Sequence, residues 1–163
     1  MVDMDLRTRV EAFLFKEARL LDTGDFAGWL ALYEPEGIYW MPSQPGQTDP
    51  KNVASIIYED HAILSIRVQR LFEARALVLT PMPQTTHMLS NIEVETGEDG
   101  ADDGIVRAQA AFFCMQYQAN DQKIFAGRQS FELKPEGDSF RILLKRTDLL
   151  NAGGTLPLIT IPF

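Results

Sequence analysis

Apolar residues recur at helical spacing from the start of the chain. Leu6, Val10, Phe13, Leu14, Ala18 and Leu21 share one face, which predicts an amphipathic helix over roughly residues 3–22. Thr23-Gly24 ends it, because glycine enters the left-handed conformation of a helix terminus at little cost. A short second helix follows, with Asp25 as its N-cap and Trp29, Leu30 and Leu32 facing inward. "EPEG" reads as a turn into "IYWM", a short run of strand formers. The composition of "PSQPGQTDPK" predicts a loop, and a third helix is predicted over about residues 53–72.

Beyond "TPMP" the period changes from helical to alternating. Four strands are predicted, at about residues 86–95, 105–118, 123–133 and 140–150, divided by the turn signals "TGEDGADDG", "AND" and "KPEGDS". Long strands joined by short turns imply antiparallel hairpins. Helices first and strands afterwards predict an α+β fold, a curved antiparallel sheet with helices across one face. No repeat or linker divides the chain, so residues 1–163 read as a single domain.

Composition narrows the function classes. At 163 residues the chain can bury roughly 70% of its unfolded surface without staples. Its net charge of −8, with no basic patch, argues against a nucleic-acid partner. No apolar run reaches the roughly 18–20 residues that span a bilayer, and no signal pattern opens the sequence. The lone Cys114 rules out an internal disulfide and fits a reducing, cytoplasmic setting.

The stretch "SIIYEDHAIL" carries the first candidate chemistry. Adjacent residues of a helix point about 100° apart, so Asp60 and His61 cannot converge on one substrate atom. On the predicted third helix His61 falls within the stripe of Ile57, Leu64, Val68 and Leu71, while Asp60 lies to its side. An inward histidine can act as an acid or base, because its charge changes near neutral pH. The structural reading, a core-edge imidazole bonded to a backbone carbonyl, is preferred. Arg67 is too far along the helix to pair with Asp60 across one turn.

His87 opens the strand "HMLSNIEVE", with Leu89 and Asn91 on its face and Met88, Ser90, Ile92 and Val94 on the other. A structural hydrogen bond at the strand start is preferred over a general base in a pocket. Asp60, His61 and His87 supply the ligand types of a non-haem iron site but not its spacing. A calcium loop starting at Asp99 would need ligands where Ala101 and Ala110 stand. Cys114, within "AAFFCMQY", reads as a small core residue. The apolar tail "LPLITIPF" must be covered, and two readings stand level: it closes the mouth of its own sheet, or it docks on another subunit.

Four stretches in order, "FLFKEARLLDTGDFAGWLALYEPEGIYWMP", "IIYEDHAILSIRVQRL", "THMLSNIEVE" and "LLKRTDLLNAGG", resemble the β (small) subunits of aromatic-ring-hydroxylating dioxygenases. The sequence departs from the usual pattern at Thr86, where a basic residue is common, and along "EARALVLTPMP". The resemblance implies a nuclear transport factor 2-like cone of helices on a curved sheet. It implies a trimer of this chain within an α3β3 hexamer whose α subunits hold a Rieske [2Fe–2S] cluster and a mononuclear iron. Such a complex adds both atoms of dioxygen to an aromatic ring, giving a cis-dihydrodiol. A Rieske centre takes two cysteines and two histidines, and the mononuclear iron takes two further histidines and a carboxylate. One cysteine and two histidines cannot supply both, so the expectation is a structural subunit with no catalytic, metal or cofactor-binding residues of its own. The rival expectations are a dehydratase or isomerase using Asp60, His61 and His87 within the cone, and a small-molecule binding module.

Overall fold

Two of the three predicted helices form where periodicity places them, and the third begins as a strand. The computed structural model describes residues 4–73, 80–95 and 104–163. Helix α1 (Met4–Asp22) buries Val10, Phe13, Leu14, Ala18 and Leu21, together with one carboxylate, Glu17. Gly24 follows it at φ +74°. The Asp25 carboxylate then accepts from the Gly28 amide at 2.8 Å and caps α2 (Phe26–Leu30). Trp29 and Leu32 are buried as expected, and Leu30 only partly.

"EPEG" is not a turn. It lies inside β1 (Tyr33–Pro42), whose register shifts between Tyr33 and Ile38. Gly37 permits that shift, since a Cβ there would sit 2.7 Å from the Ile142 carbonyl oxygen. The chain from Ser55 to Asp60 is strand β2, antiparallel to β1, and helix α3 (His61–Leu71) starts only at His61. The predicted helix failed there because Ile57 keeps helical spacing with Leu64, Val68 and Leu71, at successive steps of seven, four and three, only by coincidence. It is buried instead from the strand, opposite Met41. Asp60 marks the switch from strand to helix, accepting from the Ile63 amide at 3.0 Å as the N-cap of α3.

The four later strands form close to their predicted limits as β3 (Gln84–Glu95), β4 (Val106–Gln118), β5 (Asp121–Glu136) and β6 (Ser139–Leu149). The turn predicted at "TGEDGADDG", with the loop positions Asp99 and Ala101, lies outside the described residues except for Gly104. Ala119 and Asn120, at φ +50° and +62°, join β4 to β5 in a two-residue turn. The architecture is α+β, with a six-stranded curved, unclosed sheet in the order β2-β1-β6-β5-β4-β3. The sheet is mixed rather than wholly antiparallel, because β1 runs parallel to β6. Parallel neighbours need a long connection, and the whole segment from β2 to β5 provides it.

The tail folds back on its own domain. Ile161 and Phe163 are buried, and the Phe163 ring stacks on Phe125 and Phe112 at centroid distances of 4.6 and 6.0 Å. The Phe163 carbonyl oxygen accepts from the Tyr39 hydroxyl at 2.8 Å and from the Thr147 hydroxyl at 3.3 Å. Leu158, further back, remains exposed.

Candidate functional site

The inner face of the sheet is where a cone-shaped site would lie, and large apolar side chains line it. Trp29, Tyr33, Tyr39, Phe112, Phe131, Phe140 and Phe163 are all fully buried. One ion pair stands among them. Lys145 from β6 donates to Glu17 of α1 at 2.5 Å, and the Trp29 indole N–H donates to the same carboxylate oxygen at 2.6 Å. The ammonium lies 5.7–6.0 Å from the ring centres of Phe131, Tyr39 and Trp29, so aromatic faces take the place of water around it. Burial raises the Tyr33 and Tyr39 hydroxyls above the ordinary phenol range, and the negative charge of Glu17 adds to both shifts.

His87 pairs with Asp22, which sequence reasoning did not select. The imidazole Nδ1 lies 2.5 Å from Asp22 Oδ1, the His87 amide donates to Asp22 Oδ2 at 2.9 Å, and the Thr85 hydroxyl donates to Oδ1 at 3.0 Å. Burial pushes the Asp22 carboxyl up, but these bonds outweigh it and hold the group below its ordinary value. The carboxylate thus ties the end of α1 to β3. The His87 side chain is 2% exposed, and its Nε2 has no hydrogen-bond partner and no solvent contact.

Asp60 and His61 stand elsewhere. Asp60 caps α3 and is exposed, and His61 is the first residue of that helix, with Nδ1 3.5 Å from the Ser65 hydroxyl. The Ser65 hydroxyl donates to the His61 carbonyl oxygen, so the imidazole neighbours a side-chain hydroxyl rather than the backbone carbonyl expected for it. Helix α3 follows the edge strand β2, whereas His87 belongs to β3 at the opposite edge of the sheet. Among the described residues the two histidines and Asp60 form no group that could hold a metal ion. Arg67 finds its carboxylate on Glu59, with Nε to Oε2 at 2.8 Å, and that bond raises the guanidinium above its usual value against the cost of burial.

The strand faces also differ from those read in the sequence. Asn91 adopts φ +51° where the β3–β4 register shifts between Ser90 and Glu93. This bulge inverts the alternation, so His87 and Leu89 lie on the same inner side as Ile92 and Val94. Cys114 of β4, opposite His87, is buried there, and burial with the nearby Asp22 charge pushes its thiol up to about 12. It is an inert core residue.

The donor set does not fit either iron centre. Among the described residues no group of three His, Cys, Asp or Glu side chains could hold a metal ion. The one thiol is held protonated, and one imidazole is committed to Asp22. No helix among the described residues is long and apolar enough to cross a membrane.

Comparison with known proteins bears on the same geometry. The family model described as "Ring hydroxylating beta subunit" matches residues 16–153. The chain belongs to that family. It is 32% identical over 155 residues to the anthranilate 1,2-dioxygenase small subunit of Acinetobacter baylyi, covering 92% of this chain and 93% of the relative. It is 34% identical over 147 residues to the 2-halobenzoate 1,2-dioxygenase small subunit of Burkholderia cepacia, covering 87% of each. The crystal structure of the benzoate 1,2-dioxygenase β subunit of Burkholderia mallei superposes with a TM-score of 0.73 at 26% identity, covering 93% of both chains. The relatives are subunits of oxidoreductase complexes, and this β-subunit chain shows no catalytic centre among its described residues.

Proposed function

We propose that this chain is the structural, non-catalytic β subunit of an aromatic-ring-hydroxylating dioxygenase. Copies of it form a trimeric platform that supports three α subunits, each carrying a Rieske [2Fe–2S] cluster and a mononuclear iron, in an α3β3 hexamer of the cytoplasm. The α subunits supply dioxygen activation, and this chain supplies rigid surface. The observation that carries the reading is an inner face lined by large apolar side chains with its charges matched. The Phe163 ring stacks on Phe125, Lys145 and Glu17 neutralise each other, and His87 Nδ1 is bonded to Asp22. The relatives named for anthranilate and 2-halobenzoate make aromatic carboxylates the first substrate class to test in the complex.

The test is co-expression with a Rieske-type α chain. The expected result is a stable complex in which iron and arene oxidation appear only when α is present. Stoichiometric iron in the isolated chain, arene oxidation by it, or failure to bind a Rieske-type α chain would overturn the reading.

A further inference from the structure

On the outer face of the sheet, β5 and β6 bring two guanidiniums to one carboxylate. Register sets Arg128 opposite Asp148 and Ser130 opposite Arg146, with Gln109 of β4 beside Ser130. The carboxylate is committed to one of the two. Arg146 Nε donates to Asp148 Oδ2 at 2.6 Å, and its Nη2 donates to Oδ1 at 2.8 Å. The same guanidinium lies 4.4 Å from the centre of the Trp40 ring, which holds that pairing in place. Arg128 is exposed, and its side chain makes no ion pair or hydrogen bond among the described residues. These groups floor a cavity of about 540 Å³, walled by Pro45 and Gly46 and by Leu150 and Ala152. Buried Gln47 fixes the first wall, accepting from the Ser43 amide at 3.0 Å and donating to the Val53 carbonyl oxygen at 3.1 Å. The turn after β6 builds the second, with the Leu150 amide donating to the Ala126 carbonyl oxygen at 3.0 Å.

We propose that this cavity binds a small aryl carboxylate, with Arg128 as the group that holds the acid. Charge selects the head of the ligand. Two guanidiniums and one carboxylate leave a single positive charge, in a chain whose net charge is −8. One negative charge completes the set, whereas the second charge of a phosphate dianion would be set against Asp148. A guanidinium presents parallel N–H donors that match the two oxygens of a carboxylate. The Ser130 hydroxyl, also without a partner among the described residues, is a further donor on the same floor. The Gln109 amide is directed elsewhere, donating to Glu95 at 3.3 Å.

The walls select the body. Leu150 is 79% exposed, and with Pro45 and Ala152 it gives a polar floor an apolar rim. Small-molecule sites enclose roughly 300–1,000 Å³, so the volume suits a ring with its substituents rather than a bare carboxylate. No histidine, thiol or uncommitted carboxylate lines the cavity. No acid or base is at hand, and the site holds its ligand unchanged. It lies on the opposite side of the sheet from His87 and Cys114, and it stands independently of the subunit reading.

Titration of the full isotope-labelled chain with benzoate at neutral pH tests this, followed through backbone amide and arginine side-chain resonances. The expected result is a saturable shift centred on Arg128, with a dissociation constant on the order of 1 mM. Acetate and inorganic phosphate are expected to bind about tenfold more weakly or worse. Arg128→Gln, at an exposed side chain, should weaken benzoate about tenfold or more with unchanged circular dichroism. Arg70→Gln, at an exposed arginine of α3, should leave it unchanged. Arg146→Gln frees Asp148 for Arg128 and should weaken benzoate by a similar factor. Asp148→Asn leaves both guanidiniums without a carboxylate, and should tighten benzoate and admit phosphate. A wild-type chain with no saturable shift up to about 20 mM benzoate, an Arg128→Gln variant of wild-type affinity, or acetate bound as tightly as benzoate overturns the proposal.

Discussion

The two faces of one sheet handle polar and apolar groups in opposite ways. Inside, polar groups are matched: Lys145 with Glu17, both buried, and His87 with the half-buried Asp22. Outside, along the same strands, Met88, Phe113 and Ile124 are open to solvent. Adjacent residues of β4 show the contrast most closely, since Phe112 is 1% exposed and Phe113 54%. A buried ion pair contributes little net stability over a well-fitted apolar pair, but it fixes which groups must face each other. The inner face therefore specifies the fold, and the outer face offers area. A chain whose chemistry lay inside would need a vacant, polar-edged cavity there. Among the described residues, aromatic side chains and one buried ion pair occupy that face.

Breaking the inner face should have the largest effect. Lys145→Ala leaves the Glu17 carboxylate buried without its cation, and a loss of about 3–5 kcal/mol is expected in urea unfolding. The double variant Glu17→Leu with Lys145→Met should recover most of that loss, because neither charge then remains to be desolvated. Failure of the recovery would show that the pair contributes more than mutual neutralisation. Phe163→Ala comes next. It opens a void beside Phe112 and Phe125 and removes an aromatic core side chain, at a cost of about 3 kcal/mol in the same assay.

Asp22 gives a smaller effect with a pH signature. Its folded pKa lies below the ordinary value of 3.8. The stability it adds is therefore present above the unfolded pKa and lost as pH falls through the lower folded value. Asp22→Asn should cost about 1–2 kcal/mol near pH 7, as expected for hydrogen bonds to a charged group. The difference between wild type and variant should shrink as pH drops below about 4. A difference that stays constant between pH 7 and pH 3 would contradict the assignment. On the outer face, Phe113→Ser should change the unfolding free energy of a dissociated chain by no more than about 0.5 kcal/mol, because the ring is already largely wet.

Periodicity made α1 and the four late strands readable, because each buries one face at a regular period over most of its length. It failed at residues 55–60, where Ile57 suits a helical stripe and a strand equally well. Only pairing with β1 decides between them. It failed again at His87, because a one-residue bulge at Asn91 reverses the faces of everything beyond it, and no local rule announces that bulge. The partners of the buried charges were partly visible. Glu17 stands three residues after Leu14 and four before Leu21, in the buried stripe of α1, and a carboxylate there demands a cation. Which cation it finds depends on where β6 lies beneath the helix, a distance of 128 residues along the chain. The apolar outer face was legible as "AAFFCMQY", a strand segment with no polar side, although only its buried half was read.

The smallest expected effect separates stability from ligand binding. Ala119 occupies φ +50° in the turn between β4 and β5, where a Cβ-bearing residue other than asparagine or aspartate is disfavoured. Its neighbour Asn120 is already suited to that region and accepts from the Tyr117 hydroxyl at 2.8 Å. Ala119→Asn keeps the backbone and relieves the misfit, so a gain of about 0.5 kcal/mol is expected in urea unfolding. The hairpin it tightens carries Phe113, Met115 and Ile124 outward and Phe112, Cys114 and Phe125 inward. If the Arg128 site acts only by its own groups, the variant gains stability with no change in benzoate affinity. A rise in that affinity equal to the gain in stability would show instead that binding draws on the order of the hairpin itself. The turn and the site would then be coupled through β5, the strand they share.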